Sequence, residues 1–291
     1  MAISSRVAAV TGANKGIGLA IVRNLALEYP KSSIAGSPFL IYLTARSAER
    51  GAEAVKTLIN DPQLKSAKVL AQDGGDTTIK FQTLDISDTS SIQEFASFLK
   101  KEHPDGIDIA INNAGVAMDG FDSNVVKGTL KTNYYGALEV TQDLLPLIRD
   151  GGRYVNVSSS AGVLSKYTPE LREQFIAASK TSVPECTKLM EAFTAAVAEG
   201  KEKEKGWPSA AYAVSKAGCT AMTKAIALEE SKKGRGVLVN CCCPGYVNTD
   251  MTKGNGTKTI DEGAKTPVFL ALGDIGGETG GFWQSEKIKE W

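Results

Sequence analysis

Histidine is nearly absent from this chain, which has one, His103, among 291 residues. It lies between a predicted helix and a predicted strand, away from every motif, so hydrolysis through a histidine base is not expected. The chain also lacks a net charge, because its 33 basic residues are balanced by 33 acidic residues. This balance predicts no nucleic-acid partner and no attraction to an anionic membrane.

Long apolar runs are missing as well, since no window approaches the roughly 18 apolar residues of a membrane span. The five cysteines form neither a CxxC pair nor an even disulfide set. A reducing, cytoplasmic environment is therefore expected, and a reactive role for Cys243 at a strand end stays open. No cluster of histidine, cysteine and aspartate predicts a metal site.

A glycine turn near the start of the chain joins a predicted strand to a predicted helix. The apolar run Arg6–Thr11 is followed by Gly12-Ala-Asn-Lys-Gly16-Ile-Gly18, and a helical pattern then runs from Leu19 to Tyr29. Glycines let the backbone approach a pyrophosphate, and the helix start offers free N–H groups and the positive end of its dipole. The alternative is an ordinary structural turn.

The second predicted strand, Phe39–Thr44, indicates which dinucleotide would bind. In dinucleotide-binding folds an acidic residue after this strand holds the ribose of NAD, whereas an arginine accommodates the 2′-phosphate of NADP. Here the acid is missing and Arg46 is present, with Lys15 as a second cation. The pattern favours NADPH, unless both cations are merely solvated surface residues.

Strands and helices alternate from end to end, which predicts an α/β fold with a single doubly wound, Rossmann-type parallel sheet. We expect one domain over residues 1–291. The segment between Ser158 and Tyr212 is longer than a βα unit needs, so a helical insertion is predicted at about 166–207. Residues 61–78 are predicted to be a surface loop. Ligands bind at the carboxyl ends of parallel strands, where the glycine turn, Arg46, Asp85, Asn113 and Ser158 would converge.

Tyr212 and Lys216 stand four residues apart in a predicted helix. At that spacing both side chains leave one face and can meet. A lysine ammonium close to a phenol favours the ionised phenolate, which would make the tyrosine usable in acid-base chemistry. The alternative is a chance pairing on an exposed helix.

Together these motifs resemble the short-chain dehydrogenase/reductase family. The likeness rests on the glycine turn, Asn112-Asn113-Ala114-Gly115, a serine after the fifth strand, Tyr212-x-x-x-Lys216 and Pro244-Gly245, in the family's order. A closer likeness is to the monomeric NADPH-dependent carbonyl reductases, through Leu43-Thr-Ala-Arg46, Gly206-Trp-Pro-Ser209, Cys242-Cys-Pro-Gly245 and the final Ser285-Glu-Lys to Trp291.

The resemblance implies four catalytic residues, Asn133, Ser158, Tyr212 and Lys216. Tyr212 would donate a proton to the substrate carbonyl oxygen, and Ser158 would hydrogen-bond the same oxygen. Lys216 would bind the nicotinamide ribose and favour the phenolate, while Asn133 would position a relay water.

The resemblance also implies the residues that bind the cofactor. The pyrophosphate turn would comprise Gly12, Asn14, Lys15, Gly16, Ile17 and Gly18. Arg46 would contact the 2′-phosphate, Asp85 and Ile86 the adenine, and Asn113 the ribose region. The nicotinamide end would be bound by Tyr212, Lys216, Pro244, Gly245, Val247 and Thr249.

The expected activity is NADPH-dependent reduction of aldehydes, ketones or quinones by a monomer. Its substrate would be a small-molecule carbonyl compound that contacts Ser158, Tyr212 and Tyr246. Tyr246 stands where the carbonyl reductases usually have tryptophan, so the substrate range does not follow from the resemblance. Two alternatives remain: an NADP-dependent alcohol or steroid dehydrogenase, and a non-catalytic protein that binds NADPH for regulation.

Overall fold

A computed structural model describes residues 5–291. All of its strands belong to one eight-stranded sheet. In chain order they are β1 (Arg6–Val10), β2 (Phe39–Ala45), β3 (Thr77–Thr83), β4 (Ile107–Asn112), β5 (Ile148–Val157), β6 (Leu238–Cys243), β7 (Phe282–Gln284) and β8 (Lys287–Ile288).

The α-helices flank this sheet. In chain order they are α1 (Gly16–Glu28), α2 (Ala48–Ile59), α3 (Pro62–Ala67), α4 (Thr89–Glu102), α5 (Ser123–Leu130), α6 (Ala137–Leu144), α7 (Pro169–Thr181), α8 (Val183–Ala198), α9 (Ala211–Ser231) and α10 (Ile260–Leu272). A π-helical turn, Lys131–Gly136, links α5 to α6. Within residues 5–291, no helix combines the length and hydropathy needed to cross a membrane.

The strand order is β3-β2-β1-β4-β5-β6-β7-β8, and every neighbouring pair is parallel except β7 and β8. The predicted doubly wound parallel sheet is thus confirmed, with one antiparallel strand added at its edge. Between β1 and β4 the order of the strands along the chain reverses. At such a switch point a crevice forms outside the carboxyl ends of the strands.

Each face of the sheet is covered by its own apolar layer. On one face Leu25 of α1, Leu58 of α2 and Val268 of α10 are buried in a single cluster. On the other face the cluster includes Phe95 of α4 and Met222 of α9. Strands β1, β2 and β4 are almost wholly buried and consist mainly of apolar residues, which is typical of parallel strands covered on both faces.

Helices α7 and α8 occupy the region predicted to be a helical insertion. Their inner faces meet in an aromatic cluster, where the Phe193 and Trp207 rings lie 5.4 Å apart and the Phe175 and Trp207 rings 5.9 Å apart. Aromatic pairs of this kind add stability beyond their buried area. The two helices are therefore packed against α9 and belong to the same core. That residues 1–291 form one domain stays a prediction.

Several elements differ from the prediction. Part of the predicted loop at 61–78 forms α3, which begins with an Asp61 cap and Pro62 at its first position. Helix α5 was not predicted, and its Asp122 cap accepts hydrogen bonds from Asn124 N and Val125 N. Strand β5 starts at Ile148, and a register irregularity opposite β4, between Ile107 and Ile109, accommodates Gly151 and Gly152.

Candidate active site

Tyr212 and Lys216 lie on the first two turns of α9, at the carboxyl edge of the sheet. The Lys216 ammonium is 5.8 Å from the centre of the Tyr212 ring. Lys216 is 5% exposed, and its Nζ donates a hydrogen bond to the Val157 carbonyl at 2.9 Å. Among residues 5–291 no carboxylate forms an ion pair with this ammonium. A buried lysine without an acidic partner is rare, which points to a ligand-binding role.

Asn133 lies beside this pair, in the π-helical turn. A Cβ placed on Gly115 would be 3.2 Å from Asn133 Oδ1 and 3.6 Å from Lys216 Nζ, so both side chains border Gly115. The Asn133 carboxamide accepts from Val116 N at 2.8 Å and donates to Val116 O at 2.8 Å and Ser215 Oγ at 3.1 Å. These bonds use both N–H groups of the carboxamide, so a relay water would have to donate a hydrogen bond to Asn133 and could not accept one from its side chain. That Asn133 positions a relay water stays a prediction.

Ser158 lies at the end of β5, and its hydroxyl faces away from any opening. It is 2% exposed, donates to the Lys216 backbone carbonyl at 3.0 Å and lies 2.7 Å from Thr220 Oγ1. A hydroxyl with one proton and two buried partners has no proton left for a substrate oxygen. The predicted substrate contact of Ser158 is thus not supported by its geometry.

Ser159 follows directly and is in a different position. It is half-buried, and its Oγ caps a 3-10 turn by accepting from Ala161 N at 3.1 Å. Because this hydroxyl accepts within the turn, its own proton remains free to be donated. The same 3-10 turn packs closely against α9, since a Cβ on Gly162 would collide with the backbone of Lys216 and Ala217.

The predicted glycine turn lies between β1 and α1. Gly12 has φ +62°, and a Cβ there would lie 2.8 Å from Ala114 Cα, so only glycine fits. Helix α1 starts at Gly16 with no side-chain cap on its Lys15 N-cap and no acid in its first turn. Its first N–H groups are therefore available to an anion, as in other dinucleotide sites. Asn14 and Ile17 lie in the same turn, both half-buried.

Arg46 is exposed at the end of β2, one residue before the Ser47 cap of α2. An arginine next to the start of a helix is a suitable site for a phosphate group. Lys15, the second predicted cation, forms an exposed ion pair with Asp250 at 2.5 Å. An ion pair this exposed is weak, so a phosphate can compete for the lysine.

Asp85 and Ile86 follow β3, and Ile86 is buried. Burial opposes ionisation of Asp85, but hydrogen bonds from Ser87 N at 2.9 Å and Ser87 Oγ at 2.7 Å prevail and hold its pKa below the usual range. Arg46 and Lys131 add to this lowering. The carboxylate, Arg46 and Ile86 thus share the part of the crevice where adenine binding is predicted.

Asn113 braces the glycine turn. Its side-chain nitrogen donates to Thr11 O at 3.0 Å and to Gly12 O at 3.2 Å, and its backbone N–H donates to Thr11 Oγ1 at 3.0 Å. The NH₂ group is therefore committed to holding β1 and β4 together at the crevice. Any contact with a ribose would involve other atoms of this residue.

The loop after β6 closes the opposite side of the crevice. It carries Pro244, Gly245, Tyr246, Val247 and Thr249, and a Cβ on Gly16 would lie 3.5 Å from Thr249 Cγ2. Tyr246 is exposed, whereas Val247 is buried. Cys243 is 2% exposed and accepts a hydrogen bond from Gly245 N at 3.3 Å, so its thiol has little access to solvent.

The chain is similar to several known reductases in sequence and in structure. The family model for "short chain dehydrogenase" matches residues 6–198 and 195–259. Carbonyl reductase [NADPH] 1 of Homo sapiens is 39% identical over 301 aligned positions that cover all of both chains. Carbonyl reductase [NADPH] 3 of Mus musculus is 40% identical, covering 94% of this chain and 92% of that protein. Salutaridine reductase from Papaver somniferum has a similar structure, with TM-score 0.79, 29% identity and coverage of 96% and 99%.

This chain belongs to the short-chain dehydrogenase/reductase family. The family resemblance noted in the sequence is thereby confirmed. As a short-chain dehydrogenase/reductase, the protein unites Tyr212, Lys216 and Asn133 at one edge of its sheet, next to the glycine turn.

Sequence reasoning missed two hydroxyl groups at the site of this short-chain dehydrogenase/reductase. Ser159 is the accessible hydroxyl after β5. Ser215 accepts from Asn133 and donates to the Tyr212 carbonyl at 2.7 Å, which links the π turn to the tyrosine. The sequence did contain a signal for Ser159. Side chains alternate along an extended chain, so Asn156 and Ser158 point to one face of the sheet and Ser159 points to the other.

Proposed function

We propose that this protein reduces the carbonyl group of small molecules to an alcohol, with NADPH as its cofactor. The observation that carries the proposal is the buried Lys216 ammonium, held by a single backbone carbonyl beside the Tyr212 ring and Asn133. Relatives named carbonyl reductase [NADPH] that align over the full length of the chain support both the activity and the cofactor.

The crevice suits NADPH at several points along its length. The uncapped start of α1 would hold the pyrophosphate, Arg46 with the start of α2 the 2′-phosphate, and Ile86 the adenine. The ammonium of Lys216 has three N–H donors and uses one on Val157, so two remain for ribose hydroxyls. The segment Val247–Thr249 would contact the nicotinamide amide. When bound, NADPH supplies the hydride that reduces the carbonyl carbon.

The side chains would then stabilise the charge that develops on the substrate oxygen. Tyr212 donates the proton that converts the alkoxide to the alcohol, and the neighbouring ammonium favours the phenolate that results. The free hydroxyl proton of Ser159 forms a second hydrogen bond to the same oxygen. Asn133 holds the arrangement by joining Val116 to Ser215, whose hydroxyl binds the Tyr212 carbonyl.

The rim of the site favours apolar carbonyl compounds. Met118, Tyr246 and Met251 are 46%, 54% and 44% exposed, and they project from the loops after β4 and β6. An ion pair between Lys253 and Asp119 at 2.8 Å joins those two loops. Large exposed apolar side chains around one opening mark a binding surface for an apolar ligand. Aromatic aldehydes, ketones and quinones are therefore the proposed substrates.

The test is loss of NADPH absorbance with a panel of aromatic aldehydes, ketones and quinones, compared with aliphatic carbonyls of equal size. We expect turnover that is fastest for the aromatic compounds. NADPH binding without turnover of any carbonyl would contradict the proposal and favour a regulatory NADPH-binding protein. Faster oxidation of an alcohol or steroid with NADP would favour a dehydrogenase instead.

Arg46 provides a test of the cofactor assignment. Replacing Arg46 by alanine is expected to weaken NADPH binding by about ten-fold or more, because the guanidinium would pair with the 2′-phosphate. NADH lacks that phosphate, so its affinity should stay unchanged. Fluorescence titration with both cofactors measures the two dissociation constants. Arg172→Ala, at an exposed arginine of α7 away from the crevice, is the control, and equal losses in both variants would refute the assignment.

The oligomeric state is proposed to be monomeric. Helices α7 and α8 pack on α9 through Phe175, Phe193 and Trp207, and so cover a helix face that would otherwise be free to pair with another subunit. Light scattering after gel filtration should give the mass of one chain at every loading concentration, and a dimer mass would contradict this.

A cytoplasmic location is proposed as well, because all five cysteines are free and buried, as in proteins of reducing compartments.

A further inference from the structure

Ser158 is the residue whose position departs most from its sequence-based role. Its hydroxyl is buried at the junction of β5 and α9, between the Lys216 carbonyl and the Thr220 hydroxyl. The Lys216 carbonyl lies inside a helix, where a backbone N–H one turn later normally satisfies it. The hydrogen bond from Ser158 is thus an additional one, and it connects the end of the strand to one particular residue of α9.

The residue before Ser158 binds the other end of the same lysine. Val157 O accepts from Lys216 Nζ at 2.9 Å, while Ser158 Oγ donates to Lys216 O at 3.0 Å. Val157, the last residue of β5, and Ser158, which follows it, therefore hold the ammonium and the backbone of Lys216 at once. We call this arrangement, formed by Val157, Ser158 and Lys216, the lysine clasp.

The start of α9 has one other side-chain tie, formed by Asn133 and Ser215, whose hydroxyl binds the Tyr212 carbonyl. Its N-cap, Ala210, makes no side-chain capping hydrogen bond, and the helix start carries no acid. Two turns beyond Lys216, Asn156 Nδ2 donates to Thr223 Oγ1 at 3.0 Å, which ties β5 to the middle of α9. The clasp is therefore the tie from the strand that lies closest to Tyr212.

We propose that Ser158 is a positioning residue that sets the location of Lys216 relative to the Tyr212 phenol and the cofactor ribose. This rests on the proposed function, in which Lys216 binds the ribose. A lysine side chain has four rotatable bonds, so fixing its ammonium alone leaves the backbone free to shift. Fixing both the backbone and the ammonium of Lys216 sets how far the ammonium reaches toward the Tyr212 phenol and the ribose. A displacement of about 1 Å in a catalytic group can lower the rate a hundred-fold.

The test compares Ser158→Ala with Thr223→Ala, which removes the neighbouring tie between the same strand and helix. Each variant loses a hydroxyl that makes two buried hydrogen bonds, Ser158 with Lys216 O and Thr220 Oγ1, and Thr223 with Asn156 Nδ2 and Cys219 O. The two variants should therefore lose similar thermal stability. We expect Ser158→Ala to lower kcat for carbonyl reduction by about ten-fold and to raise the NADPH dissociation constant several-fold. Thr223→Ala should keep both values within about two-fold of wild type.

Three results decide the proposal. A loss confined to Ser158→Ala supports it, whereas equal losses in both variants, or no loss in either, overturn it. Should Ser158→Ala fail to fold, Ser158→Cys retains a side chain of similar size with only a weak S–H donor, and the same kcat loss is expected. If wild-type protein turns over no carbonyl, the proposed function fails, and the NADPH dissociation constants of the two variants still decide the role of Ser158.

Discussion

Replacing Tyr212 by phenylalanine is expected to lower kcat for carbonyl reduction by about a hundred- to ten-thousand-fold. The substitution removes the phenol hydroxyl, which is the proposed proton donor, and keeps the ring that lies 5.8 Å from the Lys216 ammonium. The ammonium should therefore stay in place, and NADPH should bind with nearly unchanged affinity. Rapid-mixing measurement of a single turnover gives the rate of the chemical step, and fluorescence titration gives the affinity.

Tyr167→Phe is the matched control for that experiment. Tyr167 is buried in the packing around α7, and within residues 5–291 its hydroxyl has no hydrogen-bond partner. Removing that hydroxyl should leave kcat unchanged and should not destabilise the fold, because no bond is lost. Undiminished turnover by Tyr212→Phe would refute the assignment of the proton donor, and a comparable loss in Tyr167→Phe would show that the effect is not specific.

The parts of the fold that followed from sequence are those with a strong local pattern. Strand β2 ends within one residue of the prediction, because an apolar run marked it clearly. The position of the glycine turn, Arg46 and Asn113 at one edge also followed, since parallel strands end on the same side. These features depend on the spacing of residues along the chain.

Helix α5 shows why other elements escaped prediction. Its eight residues include Gly128, a poor helix former, and a short helix gains little from its own hydrogen bonds. Tertiary packing stabilises it instead, because Val126 and Leu130 are buried in the core below the insertion. The thioether of Met118 lies 2.7 Å from where a Gly128 side chain would begin, so a larger residue there would have to displace the Met118 side chain. No local pattern carries that information.

The site was predicted less well at the level of individual atoms. The side chain of Asn133 hydrogen-bonds Val116 and Ser215, and neither partner was predicted. Both partners come from segments that are distant in sequence, so their approach depends on the folded structure. The partner of the Lys216 ammonium could not be predicted either. It is the backbone carbonyl of Val157, and because every residue has a backbone carbonyl, the sequence does not indicate which one the lysine binds.

Replacing Ser159 by alanine is expected to lower kcat by about a hundred-fold, because the substrate oxygen loses one of its two proposed hydrogen-bond donors. The structure supports Ser159 over Ser158, since the Ser159 hydroxyl accepts from Ala161 N and keeps its proton, while the Ser158 hydroxyl is buried between two partners. Steady-state kinetics with one aromatic aldehyde measures the loss, and Ser160→Ala, one residue further along the turn, is the control.

The order of the three serine variants is the decisive result. The structure predicts the largest loss in kcat for Ser159→Ala, a loss of about ten-fold for Ser158→Ala, and little change for Ser160→Ala. The reverse order for Ser158 and Ser159 would restore the sequence-based assignment and would require the Ser158 side chain to rotate away from Lys216 and Thr220. Such a rotation would leave the Thr220 hydroxyl without its Ser158 partner in the core, at a cost of about 1–3 kcal/mol. For this reason we expect Ser159 to donate a hydrogen bond to the substrate oxygen. Ser158, directly after β5, is expected to hold Lys216 in position.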